Sequence, residues 1–96
     1  DIAKAEAAWA VAVELMSDPS IALVVLDELN IALKYGYLPL EQVLRDIASR
    51  PLAQHVVVTG RGAPPALVEA ADTVTEMGVI KHAFKSGIKA QRGVEF

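Results

Sequence analysis

The sequence predicts an α/β domain: a mostly parallel sheet with flanking helices. Three observations lead there. Helical stretches alternate with short, β-branched apolar runs. Those runs lack the polar–apolar alternation of a sheet with one wet face. Of the 96 residues, 53% are hydrophobic and 22% charged. Alternating helices and strands imply parallel pairing through right-handed crossovers. An unbroken apolar strand is one expected to be covered on both faces.

In chain order, residues 1–16 carry Ile2, Ala5, Trp9, Ala12, Val13 and Met16 at helical spacing, the mark of an amphipathic helix. Ser17-Asp18-Pro19-Ser20 turns the chain. Residues 21–26, Ile-Ala-Leu-Val-Val-Leu, form the first strand, which Asp27 and Glu28 end. Residues 29–35 read as a short helix or helical turn that Gly36 breaks. Leu38-Pro39-Leu40-Glu41 opens the next helix, with Leu40, Val43, Leu44 and Ile47 on one face and Arg50-Pro51 as its stop. Proline is tolerated in a first turn because its missing N–H would be unpaired there anyway. Residues 55–59 form the second strand, followed by the tight turn Gly60-Arg61-Gly62. Pro64-Pro65 starts a helix to about residue 71, residues 73–79 read as a third strand, and 81–96 read as a loop-rich tail.

Composition excludes several classes. Net charge is −3, and Lys and Arg are scattered except for Lys81, Lys85, Lys89 and Arg92, which read as a solvated face or an anion-binding cluster. A nucleic-acid binder would show a basic footprint instead. Without cysteine there is no disulfide, thiolate metal site or cysteine nucleophile, which suits a cytoplasmic protein. The longest apolar run, residues 21–26, is too short to cross a membrane, and no signal peptide opens the chain. The sequence begins at Asp1, already in helix, so the expectation is a single partial domain over 1–96 whose N-terminal part is missing. The apolar surplus then reads as surface meant for that part or for a partner.

Two motifs carry chemistry. In open α/β sheets ligands bind at the carboxyl ends of the strands. Asp27 and Glu28 stand at such an end, where a divalent cation can bridge carboxylate and phosphate oxygens in the manner of a Walker B strand. The alternative is that both acids only cap the strand and open the next helix, whose dipole favours them. Val58-Thr59-Gly60-Arg61-Gly62 puts a guanidinium at the same rim, suited to gripping phosphate or carboxylate in a fork, or else tied to a structural carboxylate or helix end. His55 and His82 have no partner at metal-pair spacing, and Ser17, Ser20, Ser49 and Ser86 stand in no nucleophile elbow. Trp9 reads as core, and Tyr35 and Tyr37 as packing around Gly36. A Gly-x-x-x-x-Gly-Lys-Ser/Thr phosphate loop is absent from the 96 residues.

Taken together, an ordered series becomes familiar: Asp18-Pro19, Val24-Val25-Leu26-Asp27-Glu28-Leu29, Tyr37-Leu38-Pro39-Leu40-Glu41, Val58-Thr59-Gly60-Arg61-Gly62, Ala71-Asp72-Thr73-Val74-Thr75-Glu76, Val79-Ile80-Lys81-His82-Ala83-Phe84 and Gly87-Ile88-Lys89-Ala90-Gln91-Arg92-Gly93. It resembles the P-loop type of ATP:corrinoid (cob(I)alamin) adenosyltransferase over essentially the whole chain. The resemblance implies a RecA-like P-loop NTPase fold, a cytoplasmic homodimer and a reducing flavoprotein as electron source. It also implies transfer of the 5′-deoxyadenosyl group of ATP to the cobalt of a reduced corrinoid, with release of triphosphate. Cobalt is the nucleophile, so the protein aligns reactants and stabilises the leaving group. Carried over, Glu28 is the Mg²⁺ ligand with Asp27 as its support. Arg61, within Gly60-Arg61-Gly62, lies near nucleotide or corrinoid, and the matching Lys81-His82 pair receives no role. The family's phosphate loop and upstream corrinoid-facing aromatics have no counterpart here, so this chain alone is expected to be inactive. Asn30 and Gly36 fall in a stretch read as variable. Two rival readings are another P-loop hydrolase or kinase, which would leave ADP and phosphate, and a non-enzymatic interaction domain.

Overall fold

A computed structural model describes residues 1–80. Its elements are α1 (Ile2–Met16), β1 (Leu23–Leu26), α2 (Leu29–Lys34), α3 (Leu40–Ala48), β2 (His55–Val58) and α4 (Pro65–Ala70). The Asp1 side chain caps α1 by accepting from the Lys4 N–H at 2.9 Å, satisfying a donor with no partner inside the helix. The C-terminus of α2 closes as a Schellman motif: Tyr37 N–H donates to Ala32 C=O at 2.9 Å and Gly36 N–H to Leu33 C=O at 3.2 Å.

β1 and β2 pair in parallel, with Leu23 opposite His55 and Leu26 opposite Val58. One face of this sheet is covered. Ala5, Trp9, Ala12 and Met16 of α1 form a buried stripe that packs with Val24 and Leu26 of β1, Leu29 and Ala32 of α2, Leu38, and Val43 of α3. The Trp9 indole N–H donates to Asp46 Oδ2 at 2.7 Å, tying α1 to α3 while the ring stays in the core. Ile2, expected on the apolar face of α1, is exposed.

The sequence-based expectation fails in two places. Both faces of the first strand were expected to be covered, yet Leu23 and Val25 are 54% and 44% exposed while Val24 and Leu26 are buried. Val57, opposite Val25, is exposed as well. The α1 stripe and the core residues of α2 and α3 pack with Val24 and Leu26, on the other face. The apolar surplus of the composition lies partly on this bare face. The third strand, residues 73–79, does not form. A strand exists only through a ladder partner, and this segment forms no ladder, although residues 73–77 line the same cavity of about 1190 Å³ as β2. Val74, Met77 and Val79 are exposed. The tail over 81–96, with Lys81, His82, Lys85, Lys89 and Arg92, lies outside the described residues.

At the amino end of the sheet two polar side chains fasten the entry to both strands. Asp18 accepts from the Ser20 hydroxyl at 2.6 Å and the Ser20 N–H at 2.9 Å, and these bonds, the hydroxyl first, hold its carboxyl below the ordinary value of 3.8. The folded value being the lower one, this contribution to stability is present above that pH and is lost as pH falls through the folded value. Gln54 is buried, and its Nε2 donates to the carbonyls of Ile21 at 3.0 Å, Asp18 at 3.2 Å and Leu15 at 3.4 Å. It thereby joins the end of α1, the turn and the approach to β1 to the residue just before β2. Gln54→Ala should lower the unfolding free energy by about 2 kcal/mol, because buried carbonyls lose their donor; urea denaturation of the full-length protein measures it.

Candidate functional site at the carboxyl ends of the strands

β1 ends at Leu26, and α2 begins at Leu29. The chain makes that change of direction through Glu28, whose φ of 61° and ψ of 23° lie in the left-handed region. A residue with a Cβ reaches this region at a cost of roughly 1–2 kcal/mol, and such strain persists where its surroundings impose it. Here the turn lets Leu29 and Asn30 be buried at once while Glu28 stays exposed. No hydrogen bond or ion pair among the described residues engages the Glu28 carboxylate, and it makes no cap bond to α2. Glu28 thus stands at the N-cap position of α2 without a side-chain cap bond.

Asp27 is half-buried, and its Oδ1 accepts the Thr59 hydroxyl at 2.6 Å. The same hydroxyl oxygen accepts the Glu28 N–H at 3.2 Å. Thr59 is held in turn by the N–H it donates to Leu26 C=O at 3.2 Å. One threonine at the end of β2 thus engages both acids at the end of β1. Sequence reading missed it. The available signal was a hydroxyl at the end of the strand next to the acidic one, in a register only pairing reveals.

Beyond Thr59 the chain turns through Gly60, Arg61 and Gly62. Gly60 has φ +131°, and a Cβ there would stand 3.1 Å from Asn30 Cβ and 3.3 Å from Asn30 Nδ2. The backbone conformation calls for glycine, and a Cβ would in addition need the Asn30 side chain to give by a few tenths of an ångström. Asn30, read from sequence as part of a variable stretch, is 2% exposed with its Oδ1 buried and unpaired, so it is a packing partner of the turn. Gly62, at φ +66°, has open space around it. Arg61 is exposed, and no described residue engages its guanidinium. Asn30, Thr59, Gly60, Arg61 and Gly62 border the large cavity beside β2; Asp27 and Glu28 do not. The structure brings the two acids together through Thr59 and presents Arg61 from the neighbouring strand of the same rim.

No cluster of three or more His, Cys, Asp or Glu side chains among the described residues could enclose a metal. Two carboxylates, one exposed and one half-buried, nevertheless fit the way Mg²⁺ is held on a nucleotide, by one or two protein carboxylates with phosphate oxygens and water completing the shell. His55 is exposed at the start of β2, at the opposite end from the acids. Tyr35 and Tyr37 stack with ring centroids 5.8 Å apart. No helix among the described residues is long and apolar enough to cross a membrane.

A parallel α/β unit with acids and an arginine at the carboxyl rim belongs to the class in which small ligands bind where the strands end. The particular family follows from comparison. Residues 1–96 match the model of the ATP:corrinoid adenosyltransferase BtuR/CobO/CobP family, and the chain belongs to that family. It is 73% identical over 96 residues to a corrinoid adenosyltransferase of Pseudomonas aeruginosa, covering all of this chain and 47% of that protein. With a corrinoid adenosyltransferase of Sinorhizobium it shares 54% over 97 residues, covering 45% of that protein. With the corrinoid adenosyltransferase CobA of Salmonella typhimurium the figure is 43% over 96 residues, covering 49%. The chain thus spans about half the length of the curated relatives it matches.

Gly60→Ala should cost about 1–3 kcal/mol of stability through the disfavoured backbone, with a tight approach to Asn30 beside it, as read from denaturant unfolding of the full-length protein.

Proposed function

We propose that the full-length protein transfers the 5′-deoxyadenosyl group of ATP to the cobalt of a reduced corrinoid. These 96 residues are the C-terminal half of its P-loop, RecA-like domain. Reduced cobalt donates an electron pair to the ribose C5′, the C5′–oxygen bond breaks, and triphosphate leaves with that bond's electrons. The observation that carries this reading is the Glu28 carboxylate, exposed and unengaged by described residues at the end of β1, in a chain that matches the adenosyltransferase family throughout.

The residues divide the work. Glu28, with Asp27 beside it, would hold Mg²⁺. When bound, the ion supplies neutralisation of the charge growing on the triphosphate. Arg61 adds a guanidinium able to fork onto phosphate oxygens, and Gly60 and Gly62 let the backbone turn close to the ligand. No serine or cysteine nucleophile is needed, because the attacking atom belongs to the corrinoid. The phosphate-binding loop lies in the half of the family's length outside these residues. The protein works in the cytoplasm as a homodimer supplied with electrons by a flavoprotein.

The outer edge of β2, bare among the described residues, supports the half-domain reading. His55 and Thr59 direct their N–H groups to Ala22 and Leu26 on β1, so by alternation Val56 and Val58 direct theirs to the opposite edge. That edge faces the gap before residues 73–77, a place for a strand from the rest of the protein. An unpaired, apolar edge is a hazard that folded proteins cover.

Glu28→Ala in the full-length protein should lower kcat/KM for adenosylcobalamin formation about 100-fold, the scale of losing one electrostatic contact to a leaving group. Unchanged turnover removes the site assignment. In hydrogen exchange, the Val56 and Val58 amides of the full-length protein should be as protected as that of Val57. Rapid exchange at those two positions alone would leave the edge without its strand.

A further inference from the structure

The Thr59 hydroxyl is not accounted for by the roles given to the acids and the arginine, yet it contacts both acids. A hydroxyl has one hydrogen to donate and lone pairs to accept with. Here the hydrogen goes to Asp27 Oδ1 at 2.6 Å, which leaves the oxygen facing the Glu28 N–H at 3.2 Å. Thr59 is itself fixed to the sheet by its N–H bond to Leu26 C=O. The connection therefore runs from the strand ladder, through one side chain, to the backbone of the residue in the left-handed conformation. The Glu28 N–H bond fixes the peptide plane from which the left-handed turn and the direction of the carboxylate are built.

We propose that Thr59 is a positioning residue. Its hydroxyl, oriented by Asp27, locks the left-handed turn at Glu28 and so holds the Glu28 carboxylate outward at the strand rim. This assigns Asp27 a second task, that of setting the direction of the hydroxyl hydrogen. The proposal rests on the reading of Glu28 as the cation-binding carboxylate. Thr59 touches no reactant in it and acts only through residue 28.

The test uses full-length Thr59→Val, which keeps the shape and removes the hydroxyl, and Thr59→Ser, which keeps the hydroxyl. Thr59→Ala replaces the valine variant if that one does not fold. Three readouts are taken: hydrogen exchange at the Glu28 amide, binding of Mn²⁺ as a probe ion in the presence of ATP by loss of the free-ion spin-resonance signal, and the Mg²⁺ concentration for half-maximal adenosyl transfer. Removing the hydroxyl should expose the Glu28 amide to exchange and weaken Mn²⁺ binding about tenfold, the scale for partners that orient a metal ligand. Half-maximal transfer should need about tenfold more Mg²⁺, by the same reasoning. Thr59→Ser should restore all three. Equal losses in the serine variant, or a lower melting temperature with both metal readouts unchanged, would overturn the proposal. Glu28→Gln separates the two layers. If it leaves Mn²⁺ binding intact, the reading of Glu28 fails. If it weakens Mn²⁺ binding and the loss of the Thr59 hydroxyl does not, only the positioning role fails.

Discussion

The register of the parallel β1–β2 pair is the constraint on which the site depends. With Leu26 opposite Val58, the next residue of β2 is Thr59, and its N–H completes the ladder on Leu26. That placement brings the threonine hydroxyl between Asp27 and the Glu28 backbone. Side chains on a strand alternate faces, so a slip of one residue would send the hydroxyl to the other face and leave both acids without it. Register is protected in turn by the core, since a one-residue slip would turn Val56 and Val58 away from the cluster they pack against beside Val24 and Leu26.

Around that pair the molecule is asymmetric. One face is closed by the α1 stripe, by α2 and by α3, with Trp9 and Gln54 adding polar ties from α1 and the turn after it to later elements. On the other face Leu23, Val25 and Val57 remain bare, and the outer edge of β2 borders a gap. The chain spans about half the length of the curated relatives it matches, and the bare face and open edge are consistent with the half-domain reading proposed above. The strained residue and the unengaged charges gather at the rim, as functional sites commonly do.

Much of this was legible in the residues. The helical spacing of Ala5, Trp9, Ala12 and Met16 marks the buried stripe of α1, Gly36 marks the end of α2, and the apolar runs before Asp27 and Thr59 mark both strands. What misled was composition without partners. Residues 73–79 have strand-like residues, but pairing is a property of two segments, and this one forms no ladder although it lines the same cavity as the open edge of β2. The expectation of a doubly covered β1 failed similarly, because an apolar run records what a strand can bury and not what is present to bury it. Asn30 looked incidental, since its nearest constraint, Gly60, is far along the chain.

By itself, the amino-acid sequence determined the order of elements as far as α4, the parallel class of the sheet, the family and the acid- and arginine-bearing turns, because periodicity, turn chemistry and short motifs are local. Only the tertiary structure decided that Glu28 is held in a left-handed turn, that Asp27 faces Thr59 and that Asn30 packs on Gly60. Those facts come from contacts between residues about thirty positions apart, brought together by strand register, and no local pattern encodes a distance across a sheet.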